Sequence, residues 1–367
     1  MRLEGAVPAA VLAAVYAPFA DDEAVATPAA EPLGLYLDLA GEALRERLFL
    51  VQGPGREEYC LRPDFTLGVA QAHIARGLGE GRYVYAGPAF RVAPAGEAQA
   101  EQFQQFGLEA YGASDAPQAD ADMAKLAWRS ASAGGRDDLS LVLGDVALFG
   151  AFVRALGVAP ASAARLSASY AHPTRLAREL AATSASAETG GALAGLLEGL
   201  DEARAAAVLE EIWSLAGIEP VGGRGPAEIV RRLGARAEAG PRLADREREA
   251  IATYLAIADA PAAAFARIAA LASGPDLAAA LAAWQRRLAA LTDIPAGRIT
   301  FAAGLHRPFS YYDGAFFEVR SAALGEDMAV AAGGRYDGLL ARLGDARTRG
   351  AVGCMVRPGL AWKDGRP

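Results

Sequence analysis

The chain has 367 residues, 53% of them hydrophobic, which is enough for two or three domains and a full core. Its net charge of −8 argues against tRNA or DNA as a main partner, because nonspecific nucleic-acid binding needs a phosphate-neutralising basic surface. There is no long uncharged apolar run and no basic segment leading into one, so a soluble, unexported, cytoplasmic protein without a membrane partner is expected.

The basic residues are lopsided. Lysine occurs only at Lys125 and Lys363, leaving 34 arginines among 36 basic residues. A catalytic lysine is not expected, and any phosphate or carboxylate clamp must be built from arginine. Cys60 and Cys354 belong to no CxxC or Cys/His cluster. No zinc site, other metal, cofactor or disulfide framework is expected, and both cysteines read as buried or half-buried free thiols.

In chain order, "LGLYLDLA" (33–40) is strand-like at its start, and "LFLVQG" (48–53) is a compact apolar run closed by Gly-Pro-Gly. "YCLRPDFTLGVAQAHIARGLGEG" (59–81) reads as strand, turn and helix. Pro63 breaks the strand, Asp64 or Thr66 can cap the helix, and Leu67, Ala70, Ile74 and Leu78 take core-facing helical spacing. The runs 82–92 and 101–112 form an antiparallel pair. In the second, Gln105, Gly107 and Glu109 share one face, while Phe106, Leu108 and Ala110 share the other. A glycine between two hydrogen-bonding groups suits a pocket floor, although a solvated face also gives such alternation.

From about 115 to 295 the pattern is mainly helical, with one strand followed by a helix in "LSLVLGDVALFGAFVRAL" (139–156). Short strands and turns return at 299. This order predicts an α+β fold: an antiparallel core from 1–150 and 297–367, interrupted by a mainly helical insertion at 151–296.

Three stretches stand out. "GGRYDGL" (333–339) is either a tight turn before a helix or a close backbone approach to a small ligand. "SYYDGAFFE" (310–318) suits core packing with one buried hydroxyl, and Arg307 just upstream suits a bidentate carboxylate clamp. His73, His172 and His306 lack metal-ligand spacing, and His73 reads as structural. No HExxH, P-loop or Ser/His/Asp signature is present.

Taken in order, these pieces resemble the catalytic domain of histidyl-tRNA synthetase, a class II aminoacyl-tRNA synthetase. "LRPDFT" (61–66) is similar to the family's LRPEGT segment, and "GPAFR" with "QFGLE" to its motif 2 and the following strand. "RPFSYYDGAFFE" (307–318) is similar to its RGLDYYTGTVFE signature, "GGRYDGL" to its glycine-rich turn, and "GAVGCMVR" (350–357) to its motif 3. The resemblance implies a class II synthetase-like sheet of six or seven mainly antiparallel strands flanked by helices. It implies a histidine pocket in which Asp64 stands at the position of a glutamate that binds the α-amino group, beside Thr66. Arg91 matches the motif 2 arginine, Gln105 and Glu109 match histidine contacts, Arg307 lies near the substrate carboxylate, and Tyr311 and Tyr312 lie near the imidazole. Arg357 matches the motif 3 arginine that contacts ATP.

The departures from that pattern carry the functional expectation. Ala93 replaces the motif 2 glutamate, Ser310 an aspartate, and the arginine-rich ATP loop is "APAGEAQAEQ" (93–102), without a cation. Each lost charge-assisted contact costs about 1.5–3 kcal/mol, so ATP binding in that geometry is not expected. No anticodon-binding domain is expected either. With these losses the chain resembles the regulatory subunits of ATP phosphoribosyltransferase, a histidyl-tRNA synthetase-like family. That implies a non-catalytic partner of a short-form catalytic subunit, self-association as a dimer or higher through the N-terminal region, histidine as feedback effector, and no tRNA. The alternative is a synthetase-like enzyme that activates histidine or acylates a small acceptor.

Overall fold

The computed structural model describes residues 1–40, 42–53, 55, 57–94, 96, 99–181, 200–216, 230, 243–306, 311–325, 328–345 and 350–365. Its strands in chain order are β1 (Glu23–Ala24), β2 (Ala30–Pro32), β3 (Leu50–Gln52), β4 (Glu58–Leu61), β5 (Gly81–Phe90), β6 (Gln102–Tyr111), β7 (Leu139–Asp145), β8 (Ala258–Asp259), β9 (Ile299–Ala302), β10 (Ala315–Ser321), β11 (Ala329–Arg335) and β12 (Ala351–Val356). Nine of them form one sheet in the order β1-β5-β6-β12-β11-β10-β7-β9-β8, and β2-β4-β3 form a second. Pairing is antiparallel except between β1 and β5 and between β7 and β9.

The expected mainly antiparallel sheet flanked by helices is present, with three corrections. The sheet has nine strands rather than six or seven. The edge strands β1 and β8 have two residues each, too short for any side-chain alternation to show in the sequence. β8 comes from the helical stretch and sits at the edge, not the centre. The segment read as strand-like at 33 is instead a helix, Leu33–Ala40, preceded by the three-residue strand β2. Leu33 and Tyr36 are both buried, three residues apart, so helical spacing serves the core here. The helix Thr66–Arg76 then stops at Gly77, whose left-handed φ of 67° ends it, and so Leu78 lies beyond the helix and is exposed.

Two cores flank the sheet. On one face Phe106, Leu108 and Ala110 of β6 pack with the helices Ala116–Ser132 and Val146–Ala155. The later helices Asp245–Leu255, Pro261–Leu271 and Pro275–Ala290 join the same core through Tyr254, Phe265 and Trp284. Trp284 donates its indole N–H to Asp145 Oδ2 at 2.7 Å, tying the last of these helices to the end of β7. The second core lies on the opposite face and is aromatic: Tyr36, Phe65, Tyr83, Tyr85, Tyr111 and Tyr336 cluster with Leu67, Val69 and Ala70 of the helix Thr66–Arg76. Both cysteines are buried and unpaired. Among the described residues no helix is long and apolar enough to cross a membrane.

Candidate functional site: a buried carboxylate pocket beside an arginine-lined cleft

The period of two in β6 turns Gln105 and Glu109 away from the first core and onto the aromatic face. There they line one narrow pocket with Asp64, Thr66, Arg91, Tyr311 and Tyr312. Seven of the eight residues expected for histidine are thus brought together from four stretches of chain. The eighth, Arg307, lies outside the described residues, as does Ser310. The free space is about 10 Å³, less than one water needs, so the walls must part before an amino acid enters.

The carboxylates are held from several sides. Thr66 Oγ1 donates to Glu109 Oε1 at 2.8 Å, and the Tyr336 hydroxyl donates to Oε2. Tyr311 donates to Asp64 Oδ2 at 3.3 Å, while the other carboxylate oxygen accepts the Thr66 backbone N–H at 3.2 Å. Gln105 Nε2 meets the Tyr85 hydroxyl at 3.4 Å, and Tyr85 donates to the Cys354 carbonyl at 3.2 Å. Gln105 Oε1 is buried and unpartnered, a strong acceptor with its capacity unused. Glycines make this packing possible: a Cβ at Gly353 would overlap the Glu109 carboxylate, and one at Gly107 the Tyr85 hydroxyl.

Burial raises the Glu109 carboxyl to about 8, the nearby Asp64 adding to the rise and the Tyr336 and Thr66 hydrogen bonds opposing it. At neutral pH Glu109 is therefore largely protonated until a cation arrives. Behind the pocket, burial raises Glu31 to about 7. The Tyr36 hydrogen bond opposes that rise, and the Asp64 charge adds to it.

Arg91 donates Nε to the Pro63 carbonyl at 2.8 Å, pinning the end of β5 to the turn that carries Asp64. It also borders a second, larger cleft of about 1080 Å³, together with Arg357. Arg357 lies over the Phe103 ring at 3.9 Å and meets Glu4 at 3.4 Å, with its Nε buried and unpartnered. The Glu4 carboxylate thus meets the guanidinium expected to be a relic of a nucleotide site.

Histidyl-tRNA synthetase is the family whose sequence profile matches residues 23–219 and 228–358. An ATP phosphoribosyltransferase regulatory subunit from Brucella anthropi is 34% identical over 344 residues, 91% of each chain. Another, from Allorhizobium ampelinum, is 36% identical over 347 residues, 90% of each chain. The chain belongs to the histidyl-tRNA synthetase-like family of ATP phosphoribosyltransferase regulatory subunits. The fold agrees. An ATP phosphoribosyltransferase regulatory subunit/histidyl-tRNA synthetase from Bacillus halodurans superposes with a TM-score of 0.62 at 18% identity, over 96% of this chain and 77% of that one. A histidine–tRNA ligase subunit from Alicyclobacillus acidocaldarius gives 0.59 at 20% identity, over 98% and 94%.

Three residues of this regulatory-subunit-family chain escaped the sequence reading. Tyr336 lies inside "GGRYDGL", and Tyr85 lies opposite Gly107 on β5, where the period-two register was a usable signal. Glu4 is 353 positions from Arg357 and had no signal at all. In "GGRYDGL" Gly333 and Gly334 lie in β11 against Phe317 and Phe316, while Gly338 opens the short helix Gly338–Arg342 beside Asp313. Arg335 holds Asp120 and Asp337, and Tyr336 reaches the pocket. His73 stacks on Tyr111 at 4.3 Å with Nδ1 3.1 Å from the Tyr83 hydroxyl, and burial lowers its pKa.

Proposed function

We propose that the chain is the non-catalytic regulatory subunit of an ATP phosphoribosyltransferase, required with a short-form catalytic subunit for the first step of histidine biosynthesis. Histidine is its feedback effector. The same reading has the chain self-associate as a dimer or higher in the cytoplasm, and gives tRNA no part. Its core would be 1–150 with 297–367, and the helical stretch 151–296 an insertion.

One observation carries the reading: Asp64, Thr66, Arg91, Gln105, Glu109, Tyr311 and Tyr312 share one pocket, beside a 93–102 loop that carries no cation. Asp64 and Glu109 supply anionic acceptors for an ammonium, and Gln105, Tyr311 and Tyr312 supply hydrogen-bonding partners for an imidazole. Arg91 is the arginine at the pocket for the ligand carboxylate, with Arg307 as the further candidate. On the nucleotide side, Ala93 stands in place of a carboxylate, the 93–102 loop carries no cation, and Arg357 is paired with Glu4. Arg357 serves there as a relic rather than a ligand.

The test is to combine the purified chain with a short-form catalytic subunit. The expected result is a stable complex that has phosphoribosyltransferase activity and that histidine inhibits. Histidine-dependent exchange of pyrophosphate into ATP by the chain alone would instead favour the synthetase-like reading.

A further inference from the structure

Glu31 is a buried carboxyl that the proposed histidine site does not use. It lies in β2 opposite Cys60 of β4, and its Oε2 accepts the Tyr36 hydroxyl. Its Oε1 is buried without a hydrogen-bond partner. That oxygen lies against the first turn of the helix Thr66–Arg76, where a Cβ at Gly68 would come within 2.6 Å of it. Glycine is a poor helix former, and here its missing side chain leaves the space that the carboxyl fills.

Asp64 sits at the same helix end, on the pocket side. It accepts the Thr66 backbone N–H at 3.2 Å and the Tyr311 hydroxyl at 3.3 Å. Two carboxyls thus share one helix N-terminus, whose dipole is equivalent to about half a charge. The other groups around Glu31 add little. Arg62 gives its hydrogen bonds to the Thr27, Pro28 and Pro88 carbonyls and to the Thr27 hydroxyl. Its charge favours ionised Glu31, but by less than burial and the Asp64 charge disfavour it. The Cys60 thiol and the Tyr36 hydroxyl stay neutral, because burial raises both. Asp64 receives at least two donors and Glu31 one, so the charge belongs on Asp64 and a proton on Glu31.

We infer that Glu31 is a positioning residue for the carboxylate pocket: it holds a proton behind Asp64 while the pocket is empty, and releases it to solvent when a ligand ammonium neutralises Asp64. The inference rests on the proposed histidine site. Glu31 does not touch the ligand and acts through Asp64. The ammonium cancels a charge that helps keep Glu31 protonated, so ligand binding and Glu31 ionisation favour each other. Affinity therefore rises as pH rises through the range in which Glu31 titrates, about 7 in the empty chain.

The experiment is calorimetric titration of histidine into the full-length chain from about pH 6 to 8.5. Pairs of buffers with different heats of ionisation count the protons released. Glu31→Gln keeps the shape and the Tyr36 hydrogen bond while fixing the neutral form, and thermal melting checks that it folds. It should match the wild type within about twofold near pH 6, bind about threefold or more weakly near pH 8, and release fewer protons. A purely structural role would weaken binding by the same factor at every pH. Glu109 titrates in both chains, so the difference between them belongs to Glu31. Tyr36→Phe is a second variant: loss of the donor to Oε2 should move the same rise to higher pH. In the ligand-free chain, infrared difference spectra between wild type and Glu31→Gln isolate the Glu31 carboxyl band. The same subtraction in an Asp64→Asn background should show that band ionising at lower pH. Equal proton release and equal pH slopes in the wild type and both variants, or a Glu31 band that Asp64→Asn leaves unmoved, would overturn the inference. If the wild type binds no histidine, the proposed site fails, and the ligand-free spectra still decide whether Glu31 answers to the charge on Asp64.

Discussion

The hydroxyl of Tyr336 donates to Oε2 of Glu109 across 227 positions of sequence, joining the turn after β11 to the C-terminal part of β6. That contact stabilises the ionised carboxylate and so lowers the Glu109 pKa, against the larger rise caused by burial. Tyr336→Phe removes the donor and little else. Glu109 should then titrate above its present value of about 8. If a ligand ammonium needs the ionised form, histidine affinity in the variant should fall near neutrality and recover only at higher pH. Binding curves across pH for the wild type and Tyr336→Phe check this. Superimposable curves would mean that Glu109 is not the acceptor.

The raised carboxyls also fix a sign for stability against pH. Glu109 goes from an ordinary value of 4.5 to about 8, and Glu31 from 4.5 to about 7. Between these limits the folded chain holds protons that the unfolded chain has released, so rising pH lowers stability. The contribution is fully present below 4.5 and is lost as pH passes about 7 for Glu31 and about 8 for Glu109. Glu109→Gln and Glu31→Gln should each flatten this decline. Urea midpoints measured from pH 5 to 9 test it, and a variant as pH-sensitive as the wild type would count against the assignment.

Asp120 is the centre of a buried ion network on the opposite face. It meets Arg287 at 2.8 Å and Arg335 at 2.7 Å, and all three side chains are nearly closed to solvent. Replacing Asp120 with Asn leaves two guanidinium groups short of charge in the core, although Arg335 keeps Asp337 at 2.8 Å. Breaking a buried pair in this way costs about 3–5 kcal/mol. Denaturant unfolding of Asp120→Asn should show a loss of that order. A loss below about 1 kcal/mol would mean that water reaches the network and screens it.

What the sequence revealed, and what it hid, follows from the range of each interaction. The β5–β6 pair and the two faces of β6 were legible because alternation is local, and Gln105 and Glu109 sharing one face followed from it, whereas their burial did not, since a solvated face gives the same alternation. The helix Leu33–Ala40 was misread because its apolar residues are too dense for the two periods to be told apart over eight positions. The carboxylate pocket itself was legible only through ordered resemblance, since Asp64, Glu109 and Tyr311 meet through contacts no local pattern encodes. The arginine cleft was hidden for the same reason. Its cations are scattered from Arg47 to Arg357, and the one local stretch that invited inspection, 93–102, has none.

The central claim, that histidine regulates through this pocket, is tested most directly by calorimetric titration of histidine into the assembled complex, with an inhibition curve on the same preparation. Wild type, Glu109→Ala and Asp64→Ala are compared. Coupling between two sites typically amounts to about 1–3 kcal/mol, a span of roughly 5- to 150-fold in affinity. The account predicts that assembly survives in both variants while histidine affinity and inhibition weaken together. Unchanged affinity and unchanged inhibition in both variants would contradict it and leave the pocket an inherited relic.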